Sequence, residues 1–510
     1  MAVGNEADEA QRLATRIESL EAGLAESAAK LAERDAKLAE RDAKLAERDA
    51  KLAELVELVG KLTSQIEKLT EQLGQNSKNS HRPPSSDGPG AGSRGGASGQ
   101  HRPGSGRKRG GQKGHRGSHR ELLPAAHVDH VVDLFPDVCL GCARPLQQVL
   151  DAAACRHQQL ELRDHRPHLT EFRRHELQCG HCSSLTRAAY DRGKIPASAF
   201  GPCLTAVVGL LTGAYHLSRR SAQKLLLELF GISISLGAIS GMERRASEAL
   251  KSAYAEAERE VQYAGVKHTD ATSWTRAGKL MSLWTLASVA ATVYRIFADG
   301  CRNTIRPLFG PAKGILVSDR AGVFMFWSMA LRQICFAHLV RKFVAFSERA
   351  GPAGALGREL LEYTALVFEY WHGYKDGILT RQELEYWLRP VRRGLERALE
   401  RGEKANIKRL SGACADILVH RDALWTFVTH EGVPPTNNHA ELELRGFVMW
   451  RKRSFGSQSE RGERFAERMM TVVHTARKQG KNVLDFLVNA VTAHIAGTTA
   501  PQLLGEHVTA

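Results

Sequence analysis

Apolar residues recur through residues 13–73 in an unbroken seven-residue pattern. One core position reads Ile17, Leu24, Leu31, Leu38, Leu45, Leu52, Val59, Ile66 and Leu73; the other reads Leu13, Leu20, Ser27, Arg34, Arg41, Arg48, Leu55, Leu62 and Leu69. A register that never slips predicts a coiled coil over residues 1–74, about 90 Å long at 1.5 Å per residue. Lys30, Lys37 and Lys44 fall at g and Asp35, Asp42 and Asp49 at e, an attractive pattern between two parallel helices. The three core arginines weaken the middle. A homodimer or higher oligomer is therefore expected; the alternative is a solvated single helix.

The apolar period stops at residue 75. Residues 75–120 are rich in Gly, Ser and Pro, with Asp87 as the one acid among many bases, and read as a flexible basic linker. Residues 121–192 hold short strand-like runs. Residues 193–258 are read as helical: an amphipathic helix over Leu217–Gly231, ended by Gly231, then a second helix capped by Ser235. That suits a helix-turn-helix, or equally an ordinary packed pair. From 259 strands appear, at Tyr263–Asp270, Leu280–Ala287, Ala291–Ala298, Gly314–Asp319 and Gln333–His338, the last leading into a helix over Leu339–Arg349. Strands followed by alternating helices describe a mixed α/β sheet.

Composition narrows the functional classes. The 510 residues are 43% hydrophobic and 25% charged, which excludes whole-chain disorder and suggests about three domains. Lys and Arg number 71 against 56 acids, a formal charge of +15, which favours a polyanionic partner such as nucleic acid. No apolar run approaches the roughly 18 residues a membrane span needs, and the charged N-terminus lacks a signal-peptide core. Arg107, Lys108, Arg109, Lys113 and Arg116 form a basic cluster in the linker that suits a DNA-tracking arm.

The candidate chemistry lies in two places. Cys139/Cys142 and Cys179/Cys182 are two CxxC pairs separated by 36 residues, the spacing of a zinc ribbon in which four thiolates complete a structural tetrahedron. Cys155 and His181 are possible substitutes, and four free thiols are the alternative. Asp270 and Asp319 each end an expected strand, where α/β folds open their crevices. Two carboxylates held close together need a cation between them, and Mg²⁺ suits oxygen ligands. A third acid is expected from a helix opening at Thr436-Asn-Asn-His-Ala-Glu441. Glu441 serves either as that acid or in a capping box with Asn438. Glu443 is a rival on a face about 200° away. Ser457 and Glu460 are spaced as a further capping box. Cys335 and His338 are either a second metal half-site or a buried Cys with a hydrogen-bonded His. Arg341, Lys342, Arg451, Lys452 and Arg453 are candidates to grip DNA phosphates.

The order of these features resembles the DDE transposases of the insertion-sequence-66 family. The resemblance is carried by Asn79-Ser-His-Arg-Pro-Pro-Ser-Ser-Asp87, Gly106-Arg-Lys-Arg-Gly-Gly-Gln-Lys-Gly-His115 and the double CxxC. It continues through Thr269-Asp270, Ser318-Asp319-Arg320, Cys335-Phe-Ala-His338, Thr436-Asn-Asn-His-Ala-Glu441 and Trp450-Arg-Lys-Arg-Ser-Phe-Gly-Ser-Gln-Ser-Glu-Arg-Gly462. Family members often carry Leu where His439 stands and Arg where Leu442 stands. The resemblance implies a ribonuclease-H-like catalytic core, residues 259–349 and 431–490, whose acids fall on Asp270, Asp319 and Glu441. Asp319 and Glu441 lie 122 positions apart, so residues 350–430 are read as an all-helical insertion and 491–510 as a C-terminal tail. The expected fold is thus multidomain α+β. The expected function is Mg²⁺- or Mn²⁺-dependent cleavage and strand transfer on DNA, at terminal inverted repeats and a target, in the bacterial cytoplasm beside the nucleoid. A metal-dependent nuclease and a non-catalytic DNA-binding scaffold are the alternatives.

Overall fold

The structure is a computed structural model describing residues 3–74, 122–151, 154–161, 167–191 and 195–505. The basic-arm residues Arg107, Lys108, Arg109, Lys113 and Arg116, with the linker that carries them, lie outside the described residues. The chain divides into two units, residues 1–88 and 89–510. The described residues of the first form one helix, α1 (Val3–Gly74), of 72 residues. Its leucines are open to solvent, Leu24 at 75% and Leu38 at 55%. The g lysines pair within the helix: Lys37 lies 2.6 Å from Glu33 and Lys44 2.6 Å from Glu40. These exposed i,i+4 pairs add a few tenths of a kcal/mol each; the apolar seam itself gains nothing in a single chain.

The second unit begins with two Cys turns and a short hairpin, β1 (Glu176–Gln178) with β2 (Leu185–Arg187). Four helices follow: α2 (Pro202–Thr212), α3 (Arg219–Phe230), α4 (Leu236–Ala249) and α5 (Lys251–Tyr263). The turn between α3 and α4 has the local chemistry its residues call for. Gly231 takes the left-handed conformation at φ 66°, and the Ser235 hydroxyl accepts from the Ala238 amide, satisfying donors that a helix start leaves open.

The remainder is a mixed sheet wrapped by helices. Its strands are β3 (Val266–Arg276), β4 (Lys279–Ala287), β5 (Thr292–Phe297), β6 (Ile315–Ser318) and β7 (Arg332–Ile334), with α6 (Arg302–Phe309) between β5 and β6. The order across the sheet is β5-β4-β3-β6-β7. β3, β4 and β5 pair antiparallel, whereas β6 pairs parallel with β3 and β7 parallel with β6. Then come α7 (Phe336–Ser347), α8 (Gly351–Lys375), α9 (Arg381–Lys404), α10 (Ser411–Val419), α11 (Thr426–Thr429), α12 (Asn438–Ser454), α13 (Glu460–Lys478) and α14 (Val483–Ala496).

Helices α8 to α11 do not form a body with its own core. Leu360, Leu395, Cys414 and Phe427 share one buried cluster with Val317, Ile334 and Phe336 at the β6–β7 edge. The Gln333 side chain crosses that seam, donating to the Leu424 carbonyl at 3.1 Å and accepting from the Phe427 amide at 2.8 Å. On the other side α13 lies on β5, and its Thr471, Thr475 and Glu467 side chains accept from the Tyr294, Thr292 and Ile296 amides. Helix α14 passes the boundary expected at residue 490, and Leu503 and Leu504 beyond it are buried. Among the described residues no helix is long and apolar enough to cross a membrane.

Candidate active site

Asp270 does not end its strand, contrary to the reading from sequence. β3 begins at Val266 and runs 11 residues, to Arg276. The crevice is made by its neighbour. β6 stops at Ser318, and its parallel register sets His268 opposite Val317. Continued by two residues, that register brings Asp319, the first residue beyond β6, level with Asp270. Paired positions on adjacent parallel strands lie about 4.8 Å apart and face the same side of the sheet. Each carboxylate is steadied locally: Asp270 Oδ1 accepts from the Ala271 amide at 2.8 Å, and Asp319 Oδ1 from the Ala321 amide at 2.9 Å. Beneath Asp319 the buried Arg332 donates to the Asp319 carbonyl at 2.9 Å and to Ser318 Oγ at 3.1 Å. Burial lowers the Arg332 guanidinium to about 10, while the charge of Asp319 acts the other way.

Glu441 comes from the first turn of α12, which packs on β3 and β4. The capping-box reading fails here. Asn438 is the first helical residue, and Asn437 before it makes no side-chain cap. The Asn437 amide instead donates to the Thr269 carbonyl at 2.7 Å, and its backbone N–H donates to Cys335 Sγ at 3.1 Å. Two bonds thus fasten the mouth of α12 to β3 and to the start of α7, leaving Glu441 free of cap duty. Its Oε2 lies 3.4 Å from Arg341 Nη2. Its Oε1 is buried without a hydrogen-bond partner, an arrangement that costs a carboxylate free energy unless a cation arrives.

The electrostatics of Asp270 tie the three acids together. Burial pushes its carboxyl up to about 7, and the negative charges of Glu441 and Asp319 push in the same direction. The Ala271 amide and the Arg341 charge act against this. A buried carboxyl whose proton affinity is raised by two neighbouring acids is the electrostatic setting that a divalent cation would relieve.

Glu443, the rival, has other partners. It accepts from His474 Nδ1 at 2.6 Å and lies 3.1 Å from Lys478 Nζ, while Tyr294 donates to its backbone carbonyl at 2.7 Å. Burial disfavours the Glu443 anion, but the His474 hydrogen bond and the Lys478 charge outweigh that and hold it at about 2.

Cys335 and His338 also sit differently from the sequence reading. β7 ends at Ile334, so Cys335 is the N-terminal boundary of α7 and His338 lies in its first turn. The Cys335 thiol is wholly buried, which raises it to about 11. Cys335, His338 and Glu441 have ligand atoms within 4.8 Å of one another, the single such group of three among the described residues.

The basic residues after Glu441 divide. Arg451 is engaged with β3, donating to Thr272 Oγ1 at 3.0 Å and to the Ser273 carbonyl at 2.6 Å. Lys452 and Arg453 are exposed. The Ser457–Glu460 capping box is absent: α13 starts at Glu460, and Ser459 caps it by accepting from the Gly462 amide. Ser457 instead extends along β3, its amide donating to the Thr275 carbonyl at 2.8 Å. Gly456 makes that approach possible, with φ +96° and a position where any Cβ would strike the Thr275 carbonyl. Lys342 is half-buried over the Phe346 ring.

The two CxxC turns share one backbone plan. Cys139 N–H donates to the Arg144 carbonyl and Cys179 N–H to the Ser184 carbonyl, each at 2.9 Å. Ala143 and Ser183, each four residues after its first Cys, both take φ 57°. Hydrogen bonds from the Gly141 and Cys142 amides lower the Cys139 thiol, and those from Ser184 lower Cys182. The four sulfurs do not converge as a group within 4.8 Å among the described residues.

Arg332, buried beneath Asp319, and Asn437, which fastens α12, escaped the sequence reading. Arg332 carried no signal beyond a basic residue inside an apolar strand. Asn437 was visible as half of the Asn-Asn pair before Glu441.

Residues 197–464 match the family model described as Transposase IS66 family. Residues 3–121 match a family of unknown function, DUF6444. No curated protein matches the chain.

Proposed function

The chain belongs to the Transposase IS66 family, and we propose that it is a DDE transposase whose Asp270, Asp319 and Glu441 hold Mg²⁺ or Mn²⁺ against DNA. The observation that carries this reading is the parallel register of β3 and β6, which brings Asp319 level with Asp270; burial and the charges of Glu441 and Asp319 push the Asp270 carboxyl up to about 7. The divalent metal would supply charge neutralisation and an acidified attacking oxygen.

The chain's own groups would do the rest. Asp270 and Asp319 present carboxylates at one level of the sheet. Arg341, 3.4 Å from Glu441, balances that acid before DNA arrives and is placed to turn to a phosphate afterwards. The exposed Lys452 and Arg453 follow on the same helix and would contact the DNA backbone. No nucleophilic Ser or Tyr is required, because water and then a DNA 3′-OH attack in turn.

We read the sheet as a ribonuclease-H-like core. Its order β5-β4-β3-β6-β7, antiparallel and then parallel, supports this, with α8 to α11 as the insertion before the Glu-bearing helix. The α3–α4 pair and the basic arm at Arg107–Arg116 would bind terminal inverted repeats. The exposed seam of α1 would pair two protomers, and with them two ends. The matched knuckles would hold one structural zinc through Cys139, Cys142, Cys179 and Cys182.

The test uses the full chain, labelled element ends and Mg²⁺. Wild type should cut the ends and join pre-cut ends to target DNA, whereas Asp270→Asn should bind ends yet do neither. Cutting without joining would indicate a nuclease. Cutting by Asp270→Asn would remove the enzymatic assignment altogether.

A further inference from the structure

We propose that Cys335, His338 and Glu441 form a binding site for a thiophilic divalent cation of the Zn²⁺ class, and that filling it withdraws Glu441 from the catalytic acids. Two helix starts build the site. Cys335 stands at the head of α7 with His338 one turn on, and Glu441 lies in the first turn of α12. They are locked side by side, because the Phe336 backbone N–H donates to the Pro435 carbonyl at 2.9 Å and the Asn437 backbone N–H donates to Cys335 Sγ at 3.1 Å.

The three ligand atoms already lie within 4.8 Å of one another, and His338 Nδ1 is 3.8 Å from Glu441 Oε1. Ligands around tetrahedral zinc, at bonds of about 2.0–2.3 Å, sit roughly 3.3–3.8 Å apart, so a small inward movement suffices. Sulfur, imidazole and one carboxylate suit Zn²⁺, Co²⁺ or Cd²⁺, whereas Mg²⁺ takes oxygen ligands and discriminates against such a set.

A purely structural role accounts for Cys335, a buried thiol accepting one amide. It does not account for Glu441 Oε1, which is buried toward this side without a hydrogen-bond partner while Oε2 faces Arg341. One carboxylate therefore faces two cation chemistries. Turned to Asp270 and Asp319 it completes an oxygen site; turned to Cys335 and His338 it completes a sulfur–nitrogen one. Binding of the soft ion releases the Cys335 proton to solvent and leaves a fourth position open.

The binding claim stands on this geometry, whereas the inhibitory consequence rests on the catalytic reading of Glu441. The test therefore has two arms, both on reduced full-length protein. In the first, Co²⁺ is titrated into wild type, Cys335→Ser, His338→Gln and Asp270→Asn, with the ribbon cysteines common to all. Wild type and Asp270→Asn should share a thiolate–Co²⁺ absorption component that Cys335→Ser lacks and that His338→Gln acquires only at about tenfold or more higher Co²⁺. An identical titration in all four proteins would overturn the site.

In the second arm, cleavage in Mg²⁺ is compared with and without added Zn²⁺ for wild type and for His338→Gln, each against itself. Wild type should lose activity, a chelator should restore it, and His338→Gln should need about tenfold or more zinc for the same loss. Equal zinc sensitivity in wild type and His338→Gln would overturn the inhibitory role. A cobalt signal in a wild-type protein that never cleaves DNA would leave the site standing and sink the catalytic reading instead.

Discussion

Glu441 and Glu443 stand two residues apart on α12 and answer to different neighbours: Glu441 lies 3.4 Å from Arg341, while Glu443 accepts from His474 at 2.6 Å. The two substitutions should therefore separate activity from stability. Glu441→Gln should lower strand cleavage about a thousandfold or more, with little change in unfolding midpoint, since it removes charge where charge is developed. Glu443→Gln should cost on the order of 2–4 kcal/mol at neutral pH, because it leaves Lys478 and His474 with a broken buried pair. The Glu443 carboxyl is held down at about 2, so its stabilisation is full above the ordinary range near 4.5 and fades as pH falls toward 2. Denaturant unfolding of both variants from pH 3 to 7 reads this directly; equal midpoints at pH 7 for Glu443→Gln and wild type would contradict it.

Glu467 should shape stability in the opposite sense. It is buried on α13, accepts from the Ile296 amide at 2.6 Å and lies 2.7 Å from Arg464. Burial raises its carboxyl to about 7, with Arg464, the Ile296 amide and Arg295 pulling it back. The folded protein thus holds a proton that the unfolded chain gives up, so stability declines as pH rises from about 4.5 to 7. Glu467→Gln keeps an amide oxygen for Ile296 and removes that titration. Its unfolding midpoint should gain on wild type between pH 5 and 8, by on the order of 1–3 kcal/mol. Parallel pH profiles for the two proteins would exclude the raised carboxyl.

Helix α1 carries the next expectation. Leu38 and Leu45 are 55% and 53% exposed in a single chain, and burying such a seam in a partner contributes about 1.5–3 kcal/mol per fully covered leucine. Leu38→Asp with Leu45→Asp should shift the molar mass in light scattering from an oligomer to a monomer. Replacing Arg34, Arg41 and Arg48 by leucine should do the reverse and tighten association. A monomeric wild type at tens of micromolar would remove the coiled-coil role.

Some of this was legible in the amino-acid order because it is local. The heptads of α1, the left-handed Gly231 and the Ser235 cap each depend on neighbours within a turn or two. The acids Asp270, Asp319 and Glu441 were singled out as candidates by expected strand ends, a helix start and a family resemblance, and their catalytic role is the proposal made above. What could not be read was non-local. The end of β3 is set by β4, which pairs with it as far as Arg276↔Lys279, so Asp270 sits mid-strand and the shorter β6 opens the crevice. Both expected capping boxes failed because the helices begin elsewhere: Asn438 is already inside α12, with Asn437 before it bound to Thr269 and Cys335, and Ser459 caps α13 while Ser457 pairs with Thr275. Spacing along the chain also could not tell which of the basic tract would turn inward, as Arg451 does onto Thr272 and Ser273.

The cysteine knuckles give the last expectation. Cys139 and Cys179 sit in equivalent turns, with Ala143 and Ser183 both at φ 57°, a conformation that costs an ordinary side chain about 1 kcal/mol or more. On the zinc reading proposed above, these two turns, each with a lowered thiol, would be the halves of one site, and their sulfurs, not gathered in this structure, would close on the ion. The reduced chain should therefore purify with one zinc, measured by atomic absorption, and Cys142→Ser or Cys182→Ser should each lose it. Ala143→Gly and Ser183→Gly should keep the zinc and raise the thermal midpoint of this region, since glycine takes φ 57° without strain. The same substitutions lowering zinc content would mean that these side chains support the ion beyond any strain they carry, and the strain account would fall. Zinc retained by Cys142→Ser would mean that the ion is held elsewhere, and the cysteine pairs would revert to exposed thiols in two unrelated loops.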